Sequence, residues 1–203
     1  MTDDIYHTIA EPAEGVFKDK GSRFLAYAFP VESEEEIREH LARLKKRYYD
    51  ATHHCYAWRL GAHGERFRAN DDGEPSGTAG RPILGQLLSK GLTYVLVVVV
   101  RYFGGTKLGV PGLINAYREA TLDVLENSRI VTRTEDAWYE VVFPYTVMND
   151  VMKVVKEEQP VIREQEFDNR CRMVLSIRRS REEGLKGKLS KVEGTELTFL
   201  RIG

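Results

Sequence analysis

Two glycine-rich stretches of this 203-residue chain carry the residue types best suited to binding an anion. They are residues 70–82 (NDDGEPSGTAGRP) and residues 101–112 (RYFGGTKLGVPG), and each leads into a predicted helix. Glycine lets backbone amides approach a ligand closely, and the first N–H groups of a helix favour a negative charge. Neither stretch is a Walker A or dinucleotide-binding fingerprint, so no cofactor is predicted. The two loops predict a site for a phosphate or carboxylate group.

The predicted anion or nucleic-acid site combines both loops with nearby basic residues. Basic side chains in or beside a loop add charge-assisted hydrogen bonds to those of the backbone. Thr78 is also expected to cap the helix that follows the first loop. The predicted set is Arg66, Arg68, Thr78, Gly80, Arg81, Arg101, Gly104, Gly105 and Lys107, with Arg59 nearby.

A second set of residues predicts a polar pocket beside the loops. Clustered carboxylates suit a hard cation, but the spacing lacks the twelfth-position acid of an EF-hand, and a solvated turn is the favoured interpretation. Two ligands, His53 and Cys55, fall short of a zinc site. Ser76 lacks the strand–turn–helix setting of a hydrolase nucleophile. Metal binding is left open, and no catalytic residue is assigned. The pocket set is His53, His54, Asp71, Asp72, Glu74 and Ser76.

Composition excludes several classes of protein. Thirty basic and 31 acidic side chains give a formal charge of -1, which argues against a general polyanion binder. Cys55 and Cys171 form neither a disulfide framework nor a CxxC motif. The N-terminus lacks the apolar run of a signal peptide, and the longest apolar run, residues 94–100, is too short to span a bilayer. A soluble, cytoplasmic protein with no membrane partner is expected.

The elements that must position the loops are predicted from hydrophobic periodicity. Ser33 and Glu36 form a capping box that starts a helix. Residues 94–100 are apolar and β-branched, as in a strand covered on both faces. Strands with helices packed over them predict an α+β domain over residues 1–132. Its other predicted elements are a hairpin (16–18 and 23–29), strands at 51–60 and 65–69, and helices starting near Pro82 and Pro111.

The remaining chain, residues 136–203, follows a short polar link at residues 133–136 and predicts a second domain. Its pattern gives the order βαββαβ, the ferredoxin-like arrangement. A second capping box, Ser180 with Glu183, is expected to start its last helix. The predicted elements are strands at 138–143, 161–167, 171–178 and 196–202, with helices starting at Thr146 and Ser180.

Several of these segments together resemble the IMPACT family, in particular its bacterial YigZ-like members. The matching segments are 22–24 (SRF), 53–58 (HHCYAW), 71–80 (DDGEPSGTAG) and 98–105 (VVVRYFGG), continuing through 108–109 and 112–113. The resemblance implies an N-terminal domain like domain 2 of ribosomal protein S5 and a ferredoxin-like C-terminal domain. That pair is similar to the last two domains of elongation factor G, which work on the ribosome.

Eukaryotic relatives restrain the amino-acid-starvation kinase by competing for its activating partner. They use an additional RWD domain, so that partner is not carried over. The resemblance supplies no catalytic residues.

Three hypotheses for function follow from these patterns. The leading one is a non-enzymatic, translation-linked regulatory factor that binds RNA or the ribosomal surface through the glycine-rich loops. The alternative is an enzyme acting on a small anionic substrate, with Asp71, Asp72 or Glu74 supplying metal ligation or acid–base chemistry. A third is a protein-interaction module that uses the ferredoxin-like sheet. The first two require the glycine-rich loops to converge in space.

Overall fold

The computed structural model describes residues 4–203, whose eleven strands and five α-helices divide between two units. The larger unit is Tyr6–Arg133, and the smaller is Thr134–Gly203 together with Asp4 and Ile5. The predicted mixture of helices and sheets is therefore confirmed. The elements before residue 135 are β1 (Ile5–Ile9), β2 (Ala13–Asp19), β3 (Ser22–Pro30), α1 (Glu34–Arg47), β4 (His53–Leu60), β5 (Arg66–Asn70), α2 (Gly80–Ser89), β6 (Val95–Tyr102), α3 (Gly109–Glu126) and β7 (Ile130–Thr134).

The larger unit is organised around β6, the central strand of a five-stranded antiparallel sheet. The strand order is β2-β3-β6-β4-β5. Every residue of β6 from Val95 to Arg101 is buried, because α2 and α3 cover one face of the sheet and α1 covers the other. Alternation along each strand then decides which side chains meet which helices. The face that packs against α2 and α3 carries His53, Cys55, Val99 and Arg101.

Two strands of this part of the chain were not predicted. β1 and β7 pair with each other in a separate two-stranded sheet. The predicted polar link at residues 133–136 is wrong, since β7 runs to Thr134 and the next strand begins at Asp136. Both strands are only five residues long, and neither shows the strict alternation of apolar and polar residues that marks a half-buried strand.

The smaller unit has the predicted order of strands and helices around a four-stranded antiparallel sheet. Its strand order is β11-β8-β10-β9. The two helices cover one face, where Val141, Met173 and Leu175 are fully buried with Leu185 and Leu189. The elements are β8 (Asp136–Pro144), α4 (Met148–Glu158), β9 (Val161–Glu166), β10 (Arg170–Arg178), α5 (Glu182–Leu189) and β11 (Glu196–Ile202).

One of the predicted side-chain caps, Ser33, is present, and two others are not. Ser33 caps α1 by accepting from the Glu36 backbone N–H at 3.2 Å, although the Glu36 carboxylate reaches the N–H of Glu32. The predicted caps Ser180 and Thr146 are wrong, because a 3-10 turn precedes each helix and no side chain caps α4 or α5.

The Ser180 N–H instead bonds the carboxylate of Asp4, which is buried beside the end of β10. Asp4 accepts from Ser180 N at 3.0 Å and from Nε of Arg178 at 2.9 Å. Burial raises the pKa of Asp4, but these hydrogen bonds outweigh it and lower the pKa from 3.8 to about 2. A depressed carboxylate pKa stabilises the fold above the ordinary pKa, and the stabilisation is lost as the pH falls towards the folded value.

We expect the Asp4→Asn variant to be less stable than the wild type at pH 7 by about 2 kcal/mol. The difference should shrink as the pH falls from 3.8 towards 2, where the wild-type carboxyl becomes protonated. Urea denaturation across this pH range measures it. Glu193→Gln, at an exposed carboxylate, is the control; an Asp4→Asn difference that stays constant with pH would contradict the assignment.

Candidate functional site: a cleft between two glycine-rich loops

The two glycine-rich loops meet at a cleft on the face of the larger unit that carries α2 and α3. Its volume is about 400 Å³, within the range of roughly 300–1,000 Å³ typical of small-molecule sites. The first loop contributes Glu74 and Pro75, and the second contributes residues from Arg101 onward. The convergence that the leading hypothesis requires is therefore present. The lining residues are Thr52, His53, Glu74, Pro75, Arg101, Phe103, Lys107, Leu108, Gly109, Val110 and Leu113.

A buried ion pair joins the loops at the floor of this cleft. An Nη1 hydrogen of Arg101 is donated to Glu74 Oε1 over 2.6 Å, and the two side chains are 7% and 3% exposed. Tyr117 of α3 donates to the same oxygen at 2.7 Å. The Arg101 guanidinium lies 5.5 Å from the Phe24 ring and 5.6 Å from the Phe103 ring. The charge of Arg101 thus neutralises Glu74, and it is not the free cation that the sequence suggested.

Tyr117 and Cys55 extend this network into the core. The Cys55 sulfur lies 3.3 Å from the Tyr117 hydroxyl oxygen and 3.0 Å from the Asp71 carbonyl oxygen, so its single hydrogen is shared between these two acceptors. Burial raises the pKa of Tyr117 far above its usual value, and Cys55 and Glu74 raise it further. Burial also raises the pKa of Cys55. Both groups stay protonated, so Cys55 is a hydrogen-bond donor and its thiolate is disfavoured.

His53 forms the wall of the cleft next to Glu74. Its Nδ1 lies 2.7 Å from the backbone carbonyl of Asp72, which fixes the orientation of the ring. Its Nε2 lies 3.6 Å from Glu74 Oε2. The neighbouring Gly73 has a φ of +87°, a backbone conformation that glycine adopts without strain.

The N-terminus of α2 is not the open anion site that the sequence predicted. The Asp71 carboxylate accepts from the backbone N–H groups of Gly77, Ala79 and Gly80 at 2.9, 3.1 and 2.8 Å. The chain thus fills this site itself. Thr78 was predicted to cap the helix, but its hydroxyl donates to the Pro75 carbonyl. Partial burial raises the pKa of Asp71, yet the three N–H groups outweigh burial and the net shift is downward.

The other acidic residues of the first loop are also engaged. The Asp72 carboxylate accepts from the His54 N–H at 2.7 Å. His54 lies on the α1 face of β4, where its Nε2 lies 2.8 Å from the Tyr48 carbonyl, so it does not line the cleft. Within residues 4–203, no group of three or more histidine, cysteine or acidic residues is placed to hold a metal ion.

The N-terminus of α3, in contrast, is open to the cleft. No side chain caps it at Leu108, and its first turn contains no acidic residue. Lys107 is exposed immediately before it and lines the cleft. Phe103 and Val110 are 50% and 52% exposed at the same place. This corner therefore offers an uncapped helix start, a cation and an apolar surface side by side, although Pro111 in the first turn supplies no N–H.

Close backbone contact fixes the position of the second loop. A Cβ added at Gly104 would lie 2.0 Å from the Gly21 carbonyl carbon, in the turn between β2 and β3. The Gly104 N–H also bonds the Ser22 hydroxyl at 3.1 Å. Gly105 has a φ of +89° and faces open space. Gly104 is therefore required for packing and Gly105 for backbone conformation.

Several residues of the predicted site lie elsewhere. Arg66 and Arg68 project from the α1 face of the sheet, opposite the cleft, because they pair with Leu60 and Trp58 across the β4–β5 ladder. Arg59 is buried and bonds the carbonyls of Leu92 and His63. Arg81 and Ser76 are exposed but are not among the cleft-lining residues. Of the predicted basic residues, only Lys107 brings an unpaired charge to the cleft.

Sequence reasoning missed Tyr117, which bonds Glu74 beneath the cleft, and several residues that line the cleft, among them Phe103 and Val110. Tyr117 falls within the helix predicted to start near Pro111, and a buried phenol usually requires a hydrogen-bond partner, so it marks a polar neighbour. Phe103 and Val110 stand inside the second loop, where two large apolar side chains among glycines are unusual for a solvated turn. These apolar side chains among glycines were the sequence feature that could have indicated a binding surface.

Comparison with known proteins identifies the chain. Residues 20–125 match the model of the Impact N-terminal domain. The chain belongs to the IMPACT family. The IMPACT family member YvyE of Bacillus subtilis is 36% identical over 159 residues, covering 78% of this chain and 73% of that protein. An IMPACT family member of Haemophilus influenzae is 31% identical over 188 residues, covering 91% of each.

The IMPACT fold is also present in a solved crystal structure of a hypothetical protein. It superimposes with a TM-score of 0.73 and 26% sequence identity, covering 98% of both chains. The matched range, residues 20–125, includes every residue that lines the cleft. Every helix within residues 4–203 is too short or too polar to cross a membrane.

We expect Asp71→Asn to destabilise this IMPACT domain by about 3 kcal/mol, because an amide cannot accept all three N–H groups as a carboxylate does. Asp72→Asn is the matched control, since Asp72 accepts only the His54 N–H from the backbone, and we expect a loss below about 1 kcal/mol. Urea denaturation at neutral pH measures both. Equal losses for the two variants would contradict the capping role of Asp71.

We expect Gly104→Ala to cost about 1–3 kcal/mol, because the added methyl group meets backbone atoms that have no room to move. Gly85→Ala is the control: Gly85 lies inside α2 with open space around it, so alanine there should stabilise the helix by about 1 kcal/mol. Thermal unfolding of both variants tests this. A stable Gly104→Ala variant would show that the loop does not depend on this contact.

Proposed function

We propose that this protein is a translation-linked regulatory factor that binds RNA, free or on the ribosomal surface, through the cleft between its glycine-rich loops. One observation carries the proposal: the uncapped N-terminus of α3 lies beside Lys107 and the half-exposed Phe103. A nucleotide offers the two matching groups, a phosphate and a flat aromatic base.

The phosphate fits the N-terminal end of α3. Unpaired N–H groups at a helix start, together with the helix dipole, favour an anion. Lys107 adds a charge-assisted contact. The corresponding site on α2 is occupied by Asp71. The phosphate therefore binds at the N-terminus of α3 alone, and the N-terminus of α2 does not contact it.

The base fits the apolar side of the cleft. Phe103 exposes half of its surface there, and Val110 and Leu108 lie beside it. Stacking of one base on an aromatic side chain contributes about 1–3 kcal/mol and tolerates any sequence. Sequence-tolerant binding suits a protein that recognises a single-stranded or splayed-out nucleotide.

The charge of the protein limits how it binds. With a formal charge of -1 it has no excess of basic residues to attract a long polyanion. Affinity should therefore come from a few contacts at one nucleotide and fall only weakly with added salt. Such binding depends on the shape of the RNA and on an accessible nucleotide more than on charge.

The domain organisation belongs to the same proposal. We assign residues 1–132 to a domain like domain 2 of ribosomal protein S5 and residues 136–203 to a ferredoxin-like domain. The antiparallel strand order β11-β8-β10-β9, with both helices on one face, supports the second assignment. The resemblance of this pair to the last two domains of elongation factor G favours work on the ribosome.

We expect Lys107→Ala and Phe103→Ala each to weaken binding to single-stranded RNA by roughly tenfold, because each removes one of the two proposed nucleotide contacts. Fluorescence anisotropy with a labelled oligoribonucleotide, repeated with ribosomal particles as competitor, measures the affinity.

Lys90→Ala is the matched control for charge, since Lys90 is exposed at the end of α2 away from the cleft. Arg68→Ala tests the opposite face of the sheet. The proposal fails if wild-type protein binds neither RNA nor ribosomal particles, or if all four variants bind equally. A rise in melting temperature with inorganic phosphate alone would then favour a small anionic ligand.

A further inference from the structure

Two hydrogen-bond acceptors face each other in the wall of the cleft without a donor between them. They are Nε2 of His53 and Oε2 of Glu74, which lie 3.6 Å apart. Glu74 lines the cleft although its side chain is 97% buried, being only 3% exposed. Both residues line the cleft, so a ligand bound there can supply the donor that these two atoms lack.

The network around Glu74 explains why Oε2 lacks a donor. Arg101 and Tyr117 both donate to Oε1. Within residues 4–203 no hydrogen-bond donor to Oε2 is found, and His53 Nε2 lies 3.6 Å from it. A distance of 3.6 Å also exceeds the roughly 2.7–2.9 Å of a direct charge-assisted bond between an imidazolium and a carboxylate.

The orientation of His53 makes its Nε2 the second acceptor. Nδ1 lies 2.7 Å from the Asp72 carbonyl oxygen, which can only accept, so Nδ1 carries a hydrogen. In the neutral ring Nε2 then presents its lone pair. The chain thus holds an imidazole nitrogen and a carboxylate oxygen side by side, in two residues that line the cleft.

From this geometry we propose that the cleft recognises the 3′-terminal ribose of an RNA, whose 2′- and 3′-hydroxyls donate to Glu74 Oε2 and His53 Nε2. The inference rests on the RNA-binding function proposed above. Only a terminal ribose carries two neighbouring hydroxyl donors, whereas an internal ribose offers one and deoxyribose at an internal position none. A carboxylate that accepts from ribose hydroxyls is an established solution in nucleotide-binding folds.

The other contacts of the cleft agree with a terminal nucleotide. The cleft volume of about 400 Å³ suits one small ligand and not an extended strand. The α3 N-terminus and Lys107 take the phosphate that links this nucleotide to the rest of the RNA, and Phe103 takes its base. The ribose, between phosphate and base, then meets His53 and Glu74.

The test uses oligoribonucleotides that differ only in the last sugar. The 3′ ends compared are an intact ribose, a 2′-deoxyribose, a 3′-deoxyribose and a 2′-fluoro sugar, which keeps the ribose shape but cannot donate. Each loss of a hydroxyl should weaken binding by roughly five- to tenfold in fluorescence anisotropy. An internal 2′-deoxy substitution should leave the affinity unchanged and serves as the control.

A His53→Phe variant then assigns the contacts. It keeps a flat ring but removes the acceptor, so it should abolish the effect of deleting one of the two hydroxyls and leave the effect of deleting the other. His63→Phe, at an exposed histidine, is the matched control and should behave as the wild type. If His53→Phe fails to fold, the oligonucleotide series with wild-type protein still decides.

The outcomes separate this inference from the broader function. If all terminal sugars bind within twofold of one another while Lys107→Ala still weakens RNA binding, the ribose recognition is wrong and the RNA-binding function stands. If no RNA binds at all, both proposals fail.

Discussion

The buried pair of Glu74 and Arg101 is the interaction on which the arrangement of the larger unit depends. Removing two charges from water costs several kcal/mol for each ion, and good geometry with further hydrogen bonds is needed to offset it. The 2.6 Å contact, together with the donated bond from Tyr117, supplies both. Because Glu74 belongs to the first loop and Arg101 to the end of the central strand, the pair holds one loop against the other.

The two loops look alike in sequence but differ in structure. Both are rich in glycine and both lead into helices. In the first, the Asp71 carboxylate occupies the helix N-terminus, so the glycines there allow the chain to fold back on itself. In the second, the helix N-terminus is open and its neighbours are exposed. One loop is therefore built for stability and the other is available for a ligand.

Much of the fold could be predicted because several segments have local sequence patterns that agree with the place they take in the folded protein. The apolar run at residues 94–100 reads as a strand covered on both faces, and that strand is the centre of the sheet. Ser33 lies three residues before Glu36, and that spacing alone is enough to form a cap. Ser180 and Glu183 have the same spacing, yet the Ser180 N–H is taken by Asp4, which is distant in sequence. A local sequence pattern does not show that a residue distant in sequence will bind the same group.

Which residues line the site was harder to predict than where in the chain the site lies. His53 and Cys55 are two residues apart in a predicted strand and therefore share a face, but Arg66 and Arg68 face the other side because the ladder to β4 sets their direction. Which acids remain available also depends on partners far along the chain. Asp71, Asp72 and Glu74 are three positions apart at most, and each meets a different set of donors. Those partners arise only from the folded topology.

The contact between Gly104 and the turn at Gly21 has a consequence for how such a site evolves. At Gly104 the second loop is held by main-chain atoms touching main-chain atoms, with one added hydrogen bond from the Gly104 N–H to the Ser22 hydroxyl. Phe103, Thr106 and Lys107 are exposed around it and carry no part of that contact. Substitutions at these three exposed positions can therefore change the surface of the loop while the contact at Gly104 keeps the backbone in place.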